Sequence, residues 1–292
     1  MLTGAVGAAG AAGAAGAVGA AGAVGGKSRR APRNSMVTGD SFARIVAMDP
    51  SYKNLIVSGK TVCGLSKPDD RDAKKLFAAI AQRRPTCLVV WAGIVDLNHT
   101  YFYKMKDGAV NGIDFAGESA AKYSRLIKKL SAAMPSNGVI TVLLPFYSSV
   151  ADQDVEKSLR IYGILEEDAP FTNDMRKGTE RANRNAMVDR FAQGVSAALA
   201  SEPRVRVVDL APDVTENGLV RKEFLHPNLF NPHIMWAPLY KILQKRLTSP
   251  CIYRPRYEEH EQAYKKILSE HVDEYWLKHP DAMRTNEDRR AD

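Results

Sequence analysis

The chain has 292 residues and a net charge of +8, with 45% hydrophobic and 25% charged residues. These proportions suit a globular protein with a sizeable core and exclude a fibrous or wholly disordered chain. Four cations (Lys27, Arg29, Arg30, Arg33) fall in residues 1–35, which hold no acid. The remainder is only mildly basic and shows no nucleic-acid-binding module, so no nucleic-acid partner is expected.

The first 26 residues are almost all Ala, Gly and Val. Such small side chains cannot offset the entropy of ordering so much Gly, so residues 1–35 are read as a disordered, basic-ended tail. No positive stretch precedes the apolar part, as a secretory signal needs, and its hydrophobicity is too weak for a membrane span. The lack of acids leaves organelle targeting open. A nucleic-acid role confined to this tail would show as salt-sensitive binding lost on its deletion.

From residue 36 strand and helix signals alternate. Met36–Gly39 and Asn54–Val57 are strand candidates, with Phe42–Met48 a short helix between them. Asp70–Arg83 spaces Ala73, Leu76, Phe77 and Ile80 as one helical face. Thr86–Trp91 is a near-continuous apolar run of the buried parallel type. The long amphipathic segment Phe115–Met134 ends at Pro135 and Gly138, and Val139–Leu144 is another buried strand. Residues 146–173 read as irregular. Thr179–Leu199 is a helix, Val205–Leu210 a strand and Asn231–Leu247 a last helix with Pro232 near its start. About five strands separated by helices predict a three-layer, doubly wound, mainly parallel α/β domain over 36–248. Residues 249–292, rich in charge and aromatics, read as a helical extension with a disordered end.

Three cysteines, Cys63, Cys87 and Cys251, show no CxxC spacing. They read as reduced thiols of an intracellular, cytoplasmic protein, with Cys87 in the core and no metal site.

Ligands of doubly wound sheets sit at the carboxyl ends of the strands. After the first strand stands Gly39-Asp40-Ser41-Phe42, where Ser41 is either a helix N-cap or an exposed nucleophile. After the second comes Cys63-Gly64-Leu65, whose Gly lets a backbone N–H approach a ligand. After the third comes Gly93-Ile94-Val95-Asp96-Leu97-Asn98-His99, a turn capped by Asp96 or a binding loop. Beyond the last strand stands Glu223-Phe224-Leu225-His226-Pro227. A carboxylate three residues before a histidine can orient its ring as a base, and the surface reading of the pair stays open.

Taken in order, these segments resemble the SGNH/GDSL hydrolase superfamily over about residues 36–247. That family carries Gly-Asp-Ser in its first block, Gly in its second, Gly-x-Asn-Asp in its third and Asp-x-x-His in its last. The resemblance implies an ester hydrolase or acyl transferase acting on a small ester or acylated glycan, without cofactor. Ser41 would be nucleophile, His226 base and Glu223 its orienting group, and Ser41 and Gly64 would supply oxyanion donors. Asp40, Gly93 and Asp96 would line the site. His233 would line it or replace His226, and Asp209 or Asp213 would replace Glu223. The chain departs from the family at Val95, which stands where an Asn donor is expected. A lost donor of this kind costs on the order of 3 kcal/mol of transition-state stabilisation. Asn98, or His99, would have to supply it. The same departure suits a second reading, an inactive fold of this type that binds a glycan or small ligand. Gly-x-Ser-x-Gly, Walker A and Gly-x-Gly-x-x-Gly are all absent from the sequence.

Overall fold

The computed structural model describes residues 34–253, apart from 57–59, 68, 107, 109, 227 and 228. The expected tail up to residue 33, and the expected helix within 258–275, lie outside these residues.

Strand β1 (Ser35–Gly39) runs into a 3-10 turn, Ser41–Ala43, and helix α1 (Arg44–Ala47). Strand β2 (Tyr52–Ile56) is followed by the single turn α2 (Val62–Leu65) and by α3 (Arg71–Arg83). Helix α3 starts where Asp70 accepts the N–H groups of Asp72 and Ala73, and stops where Arg84 turns left-handed at φ 47°. Strand β3 (Cys87–Trp91) leads through a π-helical turn, Asp96–Thr100, into α4 (Tyr101–Met105) and α5 (Gly112–Ala133). Strand β4 (Val139–Leu143) follows. The stretch read as irregular holds α6 (Val155–Ile161) and ends at α7 (Asn173–Thr179), both too short to leave a clear period in the sequence. Helix α8 (Arg181–Leu199) precedes β5 (Val205–Val208), and α9 (Ala211–Val214) precedes a small hairpin of β6 (Thr215–Glu216) and β7 (Leu219–Val220). Helix α10 is Trp236–Arg246, so its expected first turn, Asn231–Met235, is instead an extended loop.

The five long strands form one parallel sheet in the order β2-β1-β3-β4-β5. This confirms the expected α/β class. Strand residues alternate between the two faces, as a period of two requires. Met36, Leu88, Val90, Ile140 and Val142 join a core with α3, α4, α5 and α8. Val37, Cys87, Val89, Trp91 and Leu143 join the opposite core with α1 and α10. The strand order reverses between β1 and β3, and it is at the carboxyl ends of such a switch point that doubly wound sheets bind ligands.

Cys87 and Cys251 form a disulfide, with Cα atoms 5.4 Å apart. Cys63 is free. The expectation of three reduced thiols is corrected, and with it goes the support for an intracellular location. The bond was illegible because the partners are 164 residues apart in sequence. Among the described residues no helix is long and apolar enough to cross a membrane, and no cluster of ligand side chains could hold a metal.

Candidate functional site

Strand β1 ends at Gly39, whose φ is +144°; a Cβ there would sit 1.8 Å from the Trp91 carbonyl oxygen. Only glycine fits this close approach of β1 to β3. Asp40 then donates its N–H to Trp91 O at 3.0 Å, and its Oδ1 accepts the Phe42 N–H at 3.0 Å. Asp40 thereby caps the turn, which frees Ser41 from that role.

The Ser41 Oγ lies 2.7 Å from His233 Nε2. The other ring nitrogen, Nδ1, lies 2.8 Å from Asn231 Oδ1, and the same oxygen accepts the His233 backbone N–H at 3.0 Å. The ring stacks on Phe42, with centroids 4.4 Å apart and planes 18° apart. Phe42 itself packs edge-on against Phe146. The loop bearing both residues is held from below by Ser149, whose hydroxyl donates to Asn231 O at 3.2 Å.

His226, expected as the base, is not the ring that meets Ser41. It is buried, with Nε2 3.4 Å from Asn231 Nδ2. Glu223, expected to orient the base, is exposed on the 3-10 turn Lys222–Phe224, and Asn231 holds the ring at Ser41 instead. Asp209 and Asp213 do not substitute for it. Asp209 Oδ1 accepts the Ala211 N–H, and Asp213 pairs with Arg246 at 2.7 Å. One sequence signal for Asn231 did exist. Asn-x-His allows the Asn side chain to accept the backbone N–H two residues on, the Asx-turn geometry found here.

Several of the other expected residues are engaged in local contacts. Gly64 N–H donates to Thr61 Oγ1 at 2.9 Å as part of a helix cap, so it is not presented to an oxyanion. Gly93 has φ +110°, and a Cβ on it would meet the Phe191 ring at 2.7 Å. Asp96 is fully buried, and its Oδ2 accepts the Val62 N–H at 2.7 Å, tying the second loop to the third. Asn98 is half-buried in the π-helical turn, with no hydrogen bond to Ser41 or His233 among the described residues. Arg184, expected on a solvated face or against an anionic substrate, is buried and paired with Asp152 at 2.6 Å.

Burial sets the charges here. It pushes the Asp40 carboxyl up to about 7, with the nearby charge of Asp96 adding to it, and pushes Asp96 up to about 6. Asp40 Oδ2 and Asp96 Oδ1 have no hydrogen-bond partner among the described residues. Burial lowers His233 to about 3, helped by the charges of His226, His99 and Arg44. His99, stacked on Tyr162 at 5.5 Å, is lowered by burial to about 4. At neutral pH the site therefore holds a neutral imidazole beside a hydroxyl.

No family model matches the chain, and neither does any curated protein. Solved structures do. A lipase from a goat rumen metagenome is 12% identical, matched over 68% of this chain and 89% of its own, with a TM-score of 0.39. A DUF4886 family protein from Bacteroides uniformis is 10% identical over 76% of this chain and 86% of its own, with a TM-score of 0.41. An acetylxylan esterase from Geobacillus stearothermophilus is 16% identical over 80% and 92%, with a TM-score of 0.36. Esterases and lipases are thus among the proteins to which this chain is similar.

Proposed function

We propose that the chain is a serine-dependent ester hydrolase or acyl transferase of the SGNH type, with Ser41 as nucleophile, His233 as base and Asn231 as the group that orients the base. The observation that carries this reading is the 2.7 Å contact from Ser41 Oγ to His233 Nε2. A nucleophile within reach of a base that a third group orients is the arrangement such chemistry needs.

In this mechanism the Ser41 proton passes to His233 Nε2 as Oγ bonds to the ester carbonyl carbon. The carbonyl π pair moves onto its oxygen, and the Ser41 N–H, at the start of the 3-10 turn, donates to that oxyanion. Collapse breaks the bond to the alcohol, which takes the proton from Nε2. Water, or an acceptor hydroxyl, then gives its proton to Nε2 as its oxygen bonds to the acyl carbon, and Ser41 Oγ leaves that carbon and takes the proton back from Nε2. An acylated carbohydrate or another small ester is the substrate class proposed. Organic or metal cofactors have no part in these steps.

A second reading keeps the fold as a ligand binder without turnover. Val95 in place of a donor, and the neutral Asn231 in place of a carboxylate, favour it. A fluorophosphonate probe separates the two. Labelling of the chain, lost in Ser41→Ala with folding unchanged, is expected for the hydrolase. A chain that never labels, or labels equally in Ser41→Ala, overturns the catalytic reading.

A further inference from the structure

Two adjoining cavities lie away from Ser41, between α2, α3 and α5. One, of about 310 Å³, is lined by Cys63, Ser66, Lys67, Lys122, Arg125 and Lys129 around Leu126. The other, of about 390 Å³, shares Ser66, Lys67, Leu126 and Lys129 and adds Leu65, Lys74 and Phe77. Sharing four residues makes them one groove. Its floor is apolar (Leu65, Phe77, Leu126) and its walls carry five cations with no carboxylate among the lining residues.

Four of the five cations carry no ion pair among the described residues, although acids stand nearby. Asp70 and Asp72 turn to Lys60, at 2.5 and 3.2 Å, and Asp72 also meets Lys75. Lys122 meets Glu118 at 3.6 Å. Lys67, Lys74, Arg125 and Lys129 form no ion pair among the described residues. By contrast Lys106, Lys128, Arg160, Arg184 and Arg246 are all paired. Like charges gathered without counter-ions raise the local potential and repel one another, a cost that an anionic occupant removes.

We propose that this groove is a binding site for a small amphipathic anion, a phosphate, sulfate or carboxylate head on an acyl or aromatic body. The apolar floor takes the body, and Lys67, Arg125 and Lys129 meet the head. A concave, mainly apolar pocket with a few converging polar groups is the usual form of such sites. The groove is independent of the hydrolase reading.

The test is calorimetric titration of the full chain with decyl phosphate below its micelle concentration, beside decyl glucoside and inorganic phosphate. One decyl phosphate per chain is expected, at least ~10-fold tighter than either control, since each tenfold needs only about one good contact. The double variant R125E/K129E should lose at least ~10-fold in affinity, while Ser41→Ala should bind unchanged. The substituted residues are exposed, so folding is expected to persist, and circular dichroism checks it. Equal binding of inorganic phosphate shows that the apolar body contributes nothing and overturns the proposal. Binding unchanged by charge reversal, or lost in Ser41→Ala, places the ligand elsewhere and overturns it. A single-stranded oligonucleotide that binds through these cations where decyl phosphate does not would replace it with a nucleic-acid site.

Discussion

Asn231 Oδ1 receives two groups of His233, the backbone N–H at 3.0 Å and Nδ1 at 2.8 Å. A backbone N–H can only donate, so the side-chain atom facing it is the oxygen and not the amide nitrogen. Nδ1 must then carry the ring proton, which leaves Nε2 bare to accept from Ser41. The amide nitrogen of Asn231 is directed to His226 Nε2. Asn231 thus fixes the tautomer as a carboxylate would, but brings no charge to stabilise the imidazolium.

That difference predicts an unusual pH profile. His233 is lowered to about 3, mainly by burial, so the base form persists far below the ordinary histidine range. The acid limb of kcat/KM should lie well under 6.5. Asn231→Asp places a negative charge at Nδ1 and should raise that limb by roughly 1–3 pH units. A wild-type limb near 6.5, or one that the substitution leaves in place, would show that His233 is not the base.

The two histidines should separate in kinetics. His233→Ala is expected to lower kcat by about 10³-fold or more, the scale seen when a member of such a triad is removed. His226→Ala should cost far less, through looser holding of Asn231, and Glu223→Ala should be silent. The measurement is kcat for each variant with an activated ester. An intact His233→Ala enzyme would refute the assignment.

Asp40 should set part of the alkaline stability. Its folded value near 7 exceeds the ordinary 3.8, so the folded chain keeps a proton that the unfolded chain has released between those values. Stability from this group is therefore complete below about 3.8 and declines as pH rises to about 7. Asp96, near 6, acts in the same direction. Asp40→Asn should raise unfolding free energy at pH 8 by on the order of a few kcal/mol and leave it nearly unchanged at pH 4. Urea unfolding at both values decides, and equal effects at the two would contradict the burial argument.

The disulfide should act on stability and not on turnover. Cys87 opens β3, whereas the candidate site lies past Trp91 at its other end, roughly 13 Å away at 3.3 Å per residue. Closing so long a loop is worth up to about 5 kcal/mol in the chain-entropy account. Cys251→Ser should lower Tm clearly while ester turnover at low temperature stays near wild type. An unchanged Tm, or lost turnover in a folded variant, would go against this.

The sheet was legible because β3 and β4 are near-continuous apolar runs, and buried parallel strands leave that signature. Ser41 was legible for a related reason, since Gly39 and Asp40 mark a sharp exit from a strand. The base was not. The sequence of residues 221–235 has almost no period, so Glu223-x-x-His226 and Asn231-x-His233 look alike until the path of the chain around them is known. That path depends on Ser149 and on the Phe42 ring, both distant in sequence. The disulfide and the short helices α6 and α7 escaped for the same reason, being products of long-range packing.

Ser41 and His233 stand 192 residues apart along the chain. Their meeting requires β1, β3 and the loop before α10 to be in place together, so the pair works as an internal completion signal. A chain still being synthesised, or clipped before residue 231, would display its serine with no base to activate it. Ester turnover would then report the finished fold directly, and its appearance during refolding would time the last docking step.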